Sequence, residues 1–407
     1  MLGDVYKRQA AALLMPLGQK DEPVAHNFGS KVKNSAVSGI SGTYGLYADA
    51  YRKAAAARGI QPREMQSIVW EAVRGLFPAK WKNKANKAKV DKIWKDYKNG
   101  KAIVLNSKPL NINGISSEAY MLEISSNKGV MITGSDPTGV FYGIQSLISL
   151  MPLEIFQTSQ NTITVPNIRV EDAPRFPYRG QHLDVCRNFF AKSTVLKLLD
   201  LMAFYKLNHL QLYLSEDEGW RIEIEDLPEL TAVGAQRQHT PKDAAALHPS
   251  YGSGPNSYEK DTHGSGYYSK KDFIEILKYA HERHIKVIPT INFPGHARAA
   301  IKAMEARYNY FMEKGQEQLA NEYRLIDPDE KSKYSSAQGY DDNVVNVARE
   351  SAYRFYETVI KSISDMYREA NVPFTFFHTG GDEVPNGSWS NSPLINELLE
   401  TMPEVKN

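Results

Sequence analysis

Phe374-Thr375-Phe376-Phe377-His378-Thr379-Gly380-Gly381-Asp382-Glu383-Val384 is the stretch on which the fold turns. Aromatic and β-branched residues over 374–377 suit a short buried strand. Two glycines then let the backbone turn sharply, and two carboxylates follow at once. The same pattern recurs upstream. Gln181–Val185 reads as a strand ending near Asp184 and Arg187, and His209–Leu214 as one running into Ser215-Glu216-Asp217-Glu218. Ile285–Ile291 runs into Asn292-Phe293-Pro294-Gly295-His296. Helical patterns separate these strands. Ser193 is placed to cap a helix with apolar positions 195, 198, 199, 202 and 205, Ser269 and Asp272 form a capping box ahead of Phe273, Ile274, Ile276, Leu277 and Ala280, and Ala348–Ala370 is a long helix. Alternating strands and helices predict an α/β fold with a parallel sheet, open or closed into a barrel.

In such folds functional groups gather at the C-terminal ends of the strands, and all four expected ends carry polar or ionisable residues. The Asp382-Glu383 pair is the strongest candidate. Neighbouring side chains of an extended segment point to opposite sides, so one can face a ligand while the other works from a second angle. Residue type alone leaves an acidic helix N-terminus open as the alternative. His296, just past a strand, is the second candidate. His281 and His284 read as helix surface.

Outward from this region, Ala173-Pro174-Arg175-Phe176-Pro177 marks a boundary. Residues 101–172 read as a small α+β domain. It has strands at Ala119–Ile124 and Val130–Thr133, a helix starting at Asp136-Pro137, and further strands at Ile163–Val165 and Ile168–Val170. Residues 26–100 read as helical and basic, with Trp81 and Trp94 interleaved among lysines. No nucleic-acid motif accompanies them, so a solvated helix face is expected. Across the chain 49 basic residues balance 47 acidic ones, which argues against a nucleic-acid or membrane-surface binder. Within residues 1–25, Lys7 and Arg8 precede the apolar run Ala10–Leu17, a remnant of a secretory signal in character, and this points to a periplasmic or secreted protein. No apolar run is long enough to span a membrane. The one cysteine, Cys186, excludes an internal disulfide and is expected in the core.

Four blocks together resemble the family 20 glycoside hydrolases, the β-N-acetylhexosaminidases: Arg179-Gly180 through Asp184 and Arg187; Leu207-Asn208 through Gly219-Trp220-Arg221-Ile222-Glu223-Ile224; Pro294-Gly295-His296; and His378 through Val384 followed by Trp389. The resemblance implies that residues 173–407 are the first half of a (β/α)8 TIM-type barrel, about four βα units. It also implies that 101–172 is the domain preceding it, and that 26–100 does not match, with a join near Lys101. It implies an exo-acting enzyme that removes terminal N-acetylhexosamine from a carbohydrate substrate, in which the sugar's own acetamide is the nucleophile. Glu383 would then be the general acid and base, and Asp382 would orient the acetamide. Arg179 would hold sugar hydroxyls. His296, with Glu216 or Asp217, would tune Glu383. Trp389 would contact substrate, and Asn292, His378 and Asp184 would support the site. No metal and no cofactor is implied. Asn292 stands where many relatives have Asp, and Gln211 and Tyr213 stand where a His-x-His pair is common. With half a barrel expected, a sugar-binding chain without turnover is the alternative, and the remaining site residues are expected beyond Asn407.

Overall fold

The structure, a computed structural model, describes residues 103–157, 162–239, 246–254 and 262–402. The signal-like stretch and the basic helical segment lie outside these residues. The chain divides into two units, Met1–Pro177 and Tyr178–Asn407.

In the first unit, β1 (Ile103–Ser107), β2 (Tyr120–Ser125), β3 (Gly129–Gly134), α1 (Pro137–Ser149) and β4 (Ile168–Asp172) form one layer of helix on one sheet. The sheet order is β1-β3-β2-β4, with β1 parallel to β3 and the other pairs antiparallel. Strict alternation buries Tyr120, Leu122 and Ile124 on one face of β2. They pack with Ile132 and with Tyr142 and Leu147 of α1, each large apolar side chain contributing roughly 1.5–3 kcal/mol. The helix starts where it does because Asp136 accepts from Gly139 N at 2.8 Å and Pro137 occupies the first turn. Two local expectations need correction. Ile163–Val165 is not a strand, although Val165 packs against the core. The sequence reading also did not assign β1, which gains its order from its parallel pairing with β3.

The second unit runs β5 (Gly180–Asp184), α2 (Lys192–Phe204), β6 (His209–Tyr213), β7 (Ser215–Glu216), β8 (Gly219–Trp220), α3 (Glu229–Ala232), α4 (Lys270–His281), β9 (Lys286–Thr290), α5 (Arg298–Glu313), α6 (Glu317–Asn321), α7 (Glu350–Ala370) and α8 (Pro393–Thr401). β5, β6 and β9 are parallel neighbours, in register so that Asp184, Tyr213 and Thr290 stand abreast. The Ser269–Asp272 capping box opens α4 as its residues predict. α7 ends on Asn371 in the left-handed conformation. α2 departs from expectation: it starts at Lys192 with Ala191 as an uncapped entry, so Ser193 lies inside the helix. Lys192 is held there by Asp272 at 2.6 Å and Glu275 at 2.7 Å.

The expected fourth strand is reduced to a single bridge, Thr290 to His378. His378 N donates to Pro289 O, Ile291 N to His378 O, and Phe293 N to Thr379 O. One rung lower, the ladder requires a backbone N–H from position 289 to reach the carbonyl of Phe376. Proline has none, so 374–377 runs alongside without pairing.

Candidate active site

Beyond β6 the chain folds into the β7–β8 hairpin and carries three successive carboxylates inward. Glu216, Asp217 and Glu218 are 1%, 0% and 2% exposed. Burial on that scale demands a partner for every charge, and each has one. Glu216 Oε1 meets Arg187 Nη1 at 2.9 Å and accepts from Asn292 Nδ2 at 2.7 Å. Its Oε2 lies 3.2 Å from His296 Nδ1. Asp217 Oδ2 lies 3.1 Å from the same ring nitrogen and accepts from Asn343 Nδ2 at 3.0 Å, while Oδ1 accepts from Arg298 N at 3.1 Å. Glu218 pairs with Arg187 Nε at 3.2 Å. Arg187 also binds Asp184 at 2.8 Å, so one guanidinium ties the ends of β5 and β6 together.

His296 connects this buried cluster to the surface. Its Nε2 is 3.3 Å from Glu383 Oε2, and Glu383 is half exposed. The hydrogen bond to Asp217, opposed by burial and helped by the charge of Glu216, pushes the imidazole up to about 9. Burial pushes Glu216 up to about 8, with Arg187 and His296 pulling it back. Near neutral pH the ring is therefore cationic and Asp217 is its counter-ion. A carboxylate, an imidazolium and a second, accessible carboxyl thus lie in line, an arrangement that can hold and release a proton at Glu383. The ligating atoms of Glu216, Asp217 and His296 lie within 4.8 Å of one another. A cation bound there would have to displace the Nδ1 proton of His296.

The glycine pair behaves as its residue type requires. Gly380 and Gly381 have φ of 67° and 100°, a region where a side chain is strained. Glu383 and His296 themselves take left-handed φ of 50° and 52°, a conformation uncommon for such residues and concentrated at functional sites. Asp382 is exposed beside Glu383. Its charge, after burial, raises the phenol of Tyr213.

The other expected site residues are placed as follows. Asn292 does not partner His296 among the hydrogen bonds described. Its amide donates to Ser215 O at 3.0 Å and to Glu216. Asp184 accepts from the backbone of Cys186 and Arg187 and binds the Arg187 side chain. His378 is exposed and accepts from Gly380 N at 3.0 Å. Trp389 is half-buried and spends its indole N–H on Val345 O at 3.1 Å, a contact that anchors its own loop. Arg179 precedes β5, at the opposite end of the strand from Asp184. Its Nε donates to Lys206 O at 2.8 Å, so the structure does not bring it to the His296–Glu383 cluster. A surface recess lined by Glu317, Leu319 and Arg354 contains none of these groups. Sequence reasoning missed Asn343 and Arg298 on Asp217, and Gln338, whose Nε2 donates to Glu383 Oε2 at 3.0 Å. Arg187 was legible as a polar group at a strand end; the others sit in a long connection and a helix start with no local signal. Cys186 is fully buried, as expected of a lone core cysteine.

Residues 176–407 match the family model described as glycosyl hydrolase family 20, catalytic domain, and residues 47–173 match its domain 2. The second match begins well upstream of the boundary expected near Lys101, which corrects the reading of residues up to 100 as wholly unmatched. The chain is 47% identical over 271 residues to an N,N'-diacetylchitobiase of Vibrio harveyi, covering 66% of this chain and 30% of that protein. It is 43% identical over 293 residues to a β-hexosaminidase of Vibrio vulnificus, covering 72% and 33%. Among solved structures, an exo-β-N-acetylglucosaminidase of Vibrio harveyi in complex with N-acetylglucosamine aligns with TM-score 0.61 and 32% identity, over 74% of this chain and 41% of that one. The chain thus spans about a third of the length of the curated relatives it matches. The fold is of the α/β TIM type in the catalytic region, with a domain preceding it.

Proposed function

Since the chain belongs to glycosyl hydrolase family 20, we propose that it acts in the removal of terminal β-linked N-acetylhexosamine, by the substrate-assisted route that replaces a second catalytic carboxylate. The carbonyl oxygen of the sugar's 2-acetamido group attacks the anomeric carbon as the glycosidic C–O bond breaks. Glu383 gives its proton to the departing oxygen. The resulting cyclic oxazolinium is opened when water attacks the same carbon and returns a proton to Glu383, with net retention. Asp382 holds the acetamide N–H and balances the charge that develops there. Intramolecular attack of this kind removes up to roughly 7–11 kcal/mol of barrier.

The observation that carries this reading is His296, set between buried Asp217 and accessible Glu383 at 3.1 and 3.3 Å. We further propose that β5, β6, β9 and the strand position at His378 are the first four strands of an eight-stranded barrel. Placement in the periplasm or outside the cell is supported by the apolar run after Lys7 and Arg8. No helix among the described residues is long and apolar enough to cross a membrane. The test is release of phenolate from an aryl N-acetyl-β-glucosaminide. Glu383→Gln should lower turnover by about 10²–10⁴, and undiminished turnover in that variant would remove Glu383 from the mechanism. Sugar binding without release by the unaltered chain would favour a binding role instead.

A further inference from the structure

Glu383 is gripped from a second side by a residue outside the four strand ends. We propose that Gln338 is a positioning residue for the general acid: it fixes which carboxyl oxygen of Glu383 carries the transferable proton. This rests on the hydrolase reading given above.

Glu383 Oε2 accepts from Gln338 Nε2 at 3.0 Å and lies 3.3 Å from His296 Nε2. An amide nitrogen can only donate, and the cationic ring stands beside the same oxygen as an ion-pair partner. A donated hydrogen bond and an adjacent positive charge both disfavour a proton on Oε2. The acid's proton therefore sits on Oε1, the other oxygen of the carboxyl, from which a leaving group takes it.

The support for Gln338 is built into the fold. It lies in the Ser336–Tyr340 turn, closed by Gly339 N to Ser336 O at 2.9 Å, Ser336 N to Tyr340 O at 2.7 Å and Tyr340 N to Ser336 Oγ at 3.0 Å. The base of the turn is bolted to the start of α5. Asp342 binds Arg298 and Lys302 at 2.8 Å each, the Arg298 guanidinium stacks 5.0 Å over Tyr340, and Asn343 binds Asp217 at 3.0 Å. His296 is referenced to the same Asp217. The segment that carries Gln338 and the His296 ring are thus both anchored at Asp217, the first through Asn343, as preorganised proton transfer requires. The sequence separation of 45 residues between Gln338 and Glu383 explains why no motif announces the pair.

The contact can be tested without turnover. In the full chain, the side-chain amide ¹H–¹⁵N signal that disappears in Gln338→Ala should move with pH as Glu383 ionises, and should stop moving in Glu383→Gln. A signal that does not titrate, or titrates equally in Glu383→Gln, overturns the proposal. The catalytic consequence is read from leaving groups. Gln338→Ala should lower kcat/KM on a phenyl glycoside, whose leaving group needs a proton, by about tenfold. On a 2,4-dinitrophenyl glycoside, which departs unaided, kcat/KM, which covers only the steps up to departure, should change by less than about twofold. Equal losses on both would mean a merely structural role and also overturn it. A chain inert toward both glycosides would end the hydrolase reading, and the amide titration would still decide the contact.

Discussion

The amide oxygen of Asn292 lies 2.1 Å from where a Cβ on Gly380 would stand. Asn292 is 1% exposed and its amide nitrogen is committed to Ser215 O and Glu216, so it cannot swing aside. The loop that carries Asp382 and Glu383 is therefore seated directly on the residue that orients Glu216. Gly380→Ala would meet both a clash and a φ of 67°. It should cost about 2 kcal/mol or more in urea unfolding, and turnover should fall with it. A variant as stable as the parent would show that this seat is soft.

Asn292→Asp would set a second carboxylate 2.7 Å from Glu216 Oε1, in place of a donor. Two buried like charges cannot both ionise. At pH 8 the variant should lose about 2–4 kcal/mol, and much of this should return at pH 5, where a protonated Asp can donate as the amide does. Urea midpoints at the two pH values check this; a loss independent of pH would contradict it.

His296 is pushed up to about 9 by Asp217, and Glu216 up to about 8 by burial. For the imidazole the folded value lies above the unfolded value of about 6.5. Its stabilising contribution is complete below about pH 6.5 and is lost as pH rises through about 9. The buried carboxyl works in the same sense, since folding opposes its ionisation between about pH 4.5 and 8. Replacing the ring by His296→Gln should thus destabilise by a few kcal/mol at pH 6 and by far less near pH 10. Unfolding free energies measured across that range would refute the assignment if the gap between the two proteins widened with pH.

Arg221 is 0% exposed and gives its guanidinium to five carbonyls, those of Val185, Cys186, Ala235, Gly264 and Gly266, at 2.7 to 3.3 Å. It staples the turn after β5 to the insertion that follows α3. Arg221→Met fills the space but leaves the carbonyls unpaired, and should cost more than about 3 kcal/mol. Amide exchange should quicken first at 185–187 and 264–266. Arg221→Lys should rescue little, because three donors cannot serve five acceptors.

Much of the frame was legible because its signals are local. The period of the apolar positions, the Asp136 cap and the Ser269–Asp272 box each act within one helical turn. The Gly380-Gly381 pair likewise declares a turn that other residues would resist. Even so, Ser193 has the residue type of a cap but lies inside α2, whose first residue, Lys192, pairs with Asp272 and Glu275 of α4. Ile163–Val165 has strand composition but joins no ladder among the described residues, and Val165 packs against the core instead.

Residue order alone determined that β/α units would set carboxylates and a histidine at one end of a parallel sheet, since side-chain periodicity and turn chemistry are written into neighbouring residues. Only the tertiary structure decided which of them meet. Asn343 reaches Asp217 across 126 positions, Trp389 turns to Val345, Arg179 stays at the far end of its strand, and Pro289 withholds the rung that would have completed the fourth strand. These outcomes follow from desolvation. Each buried charge and amide must find a partner in three dimensions, and the nearest one that geometry permits is seldom near in sequence.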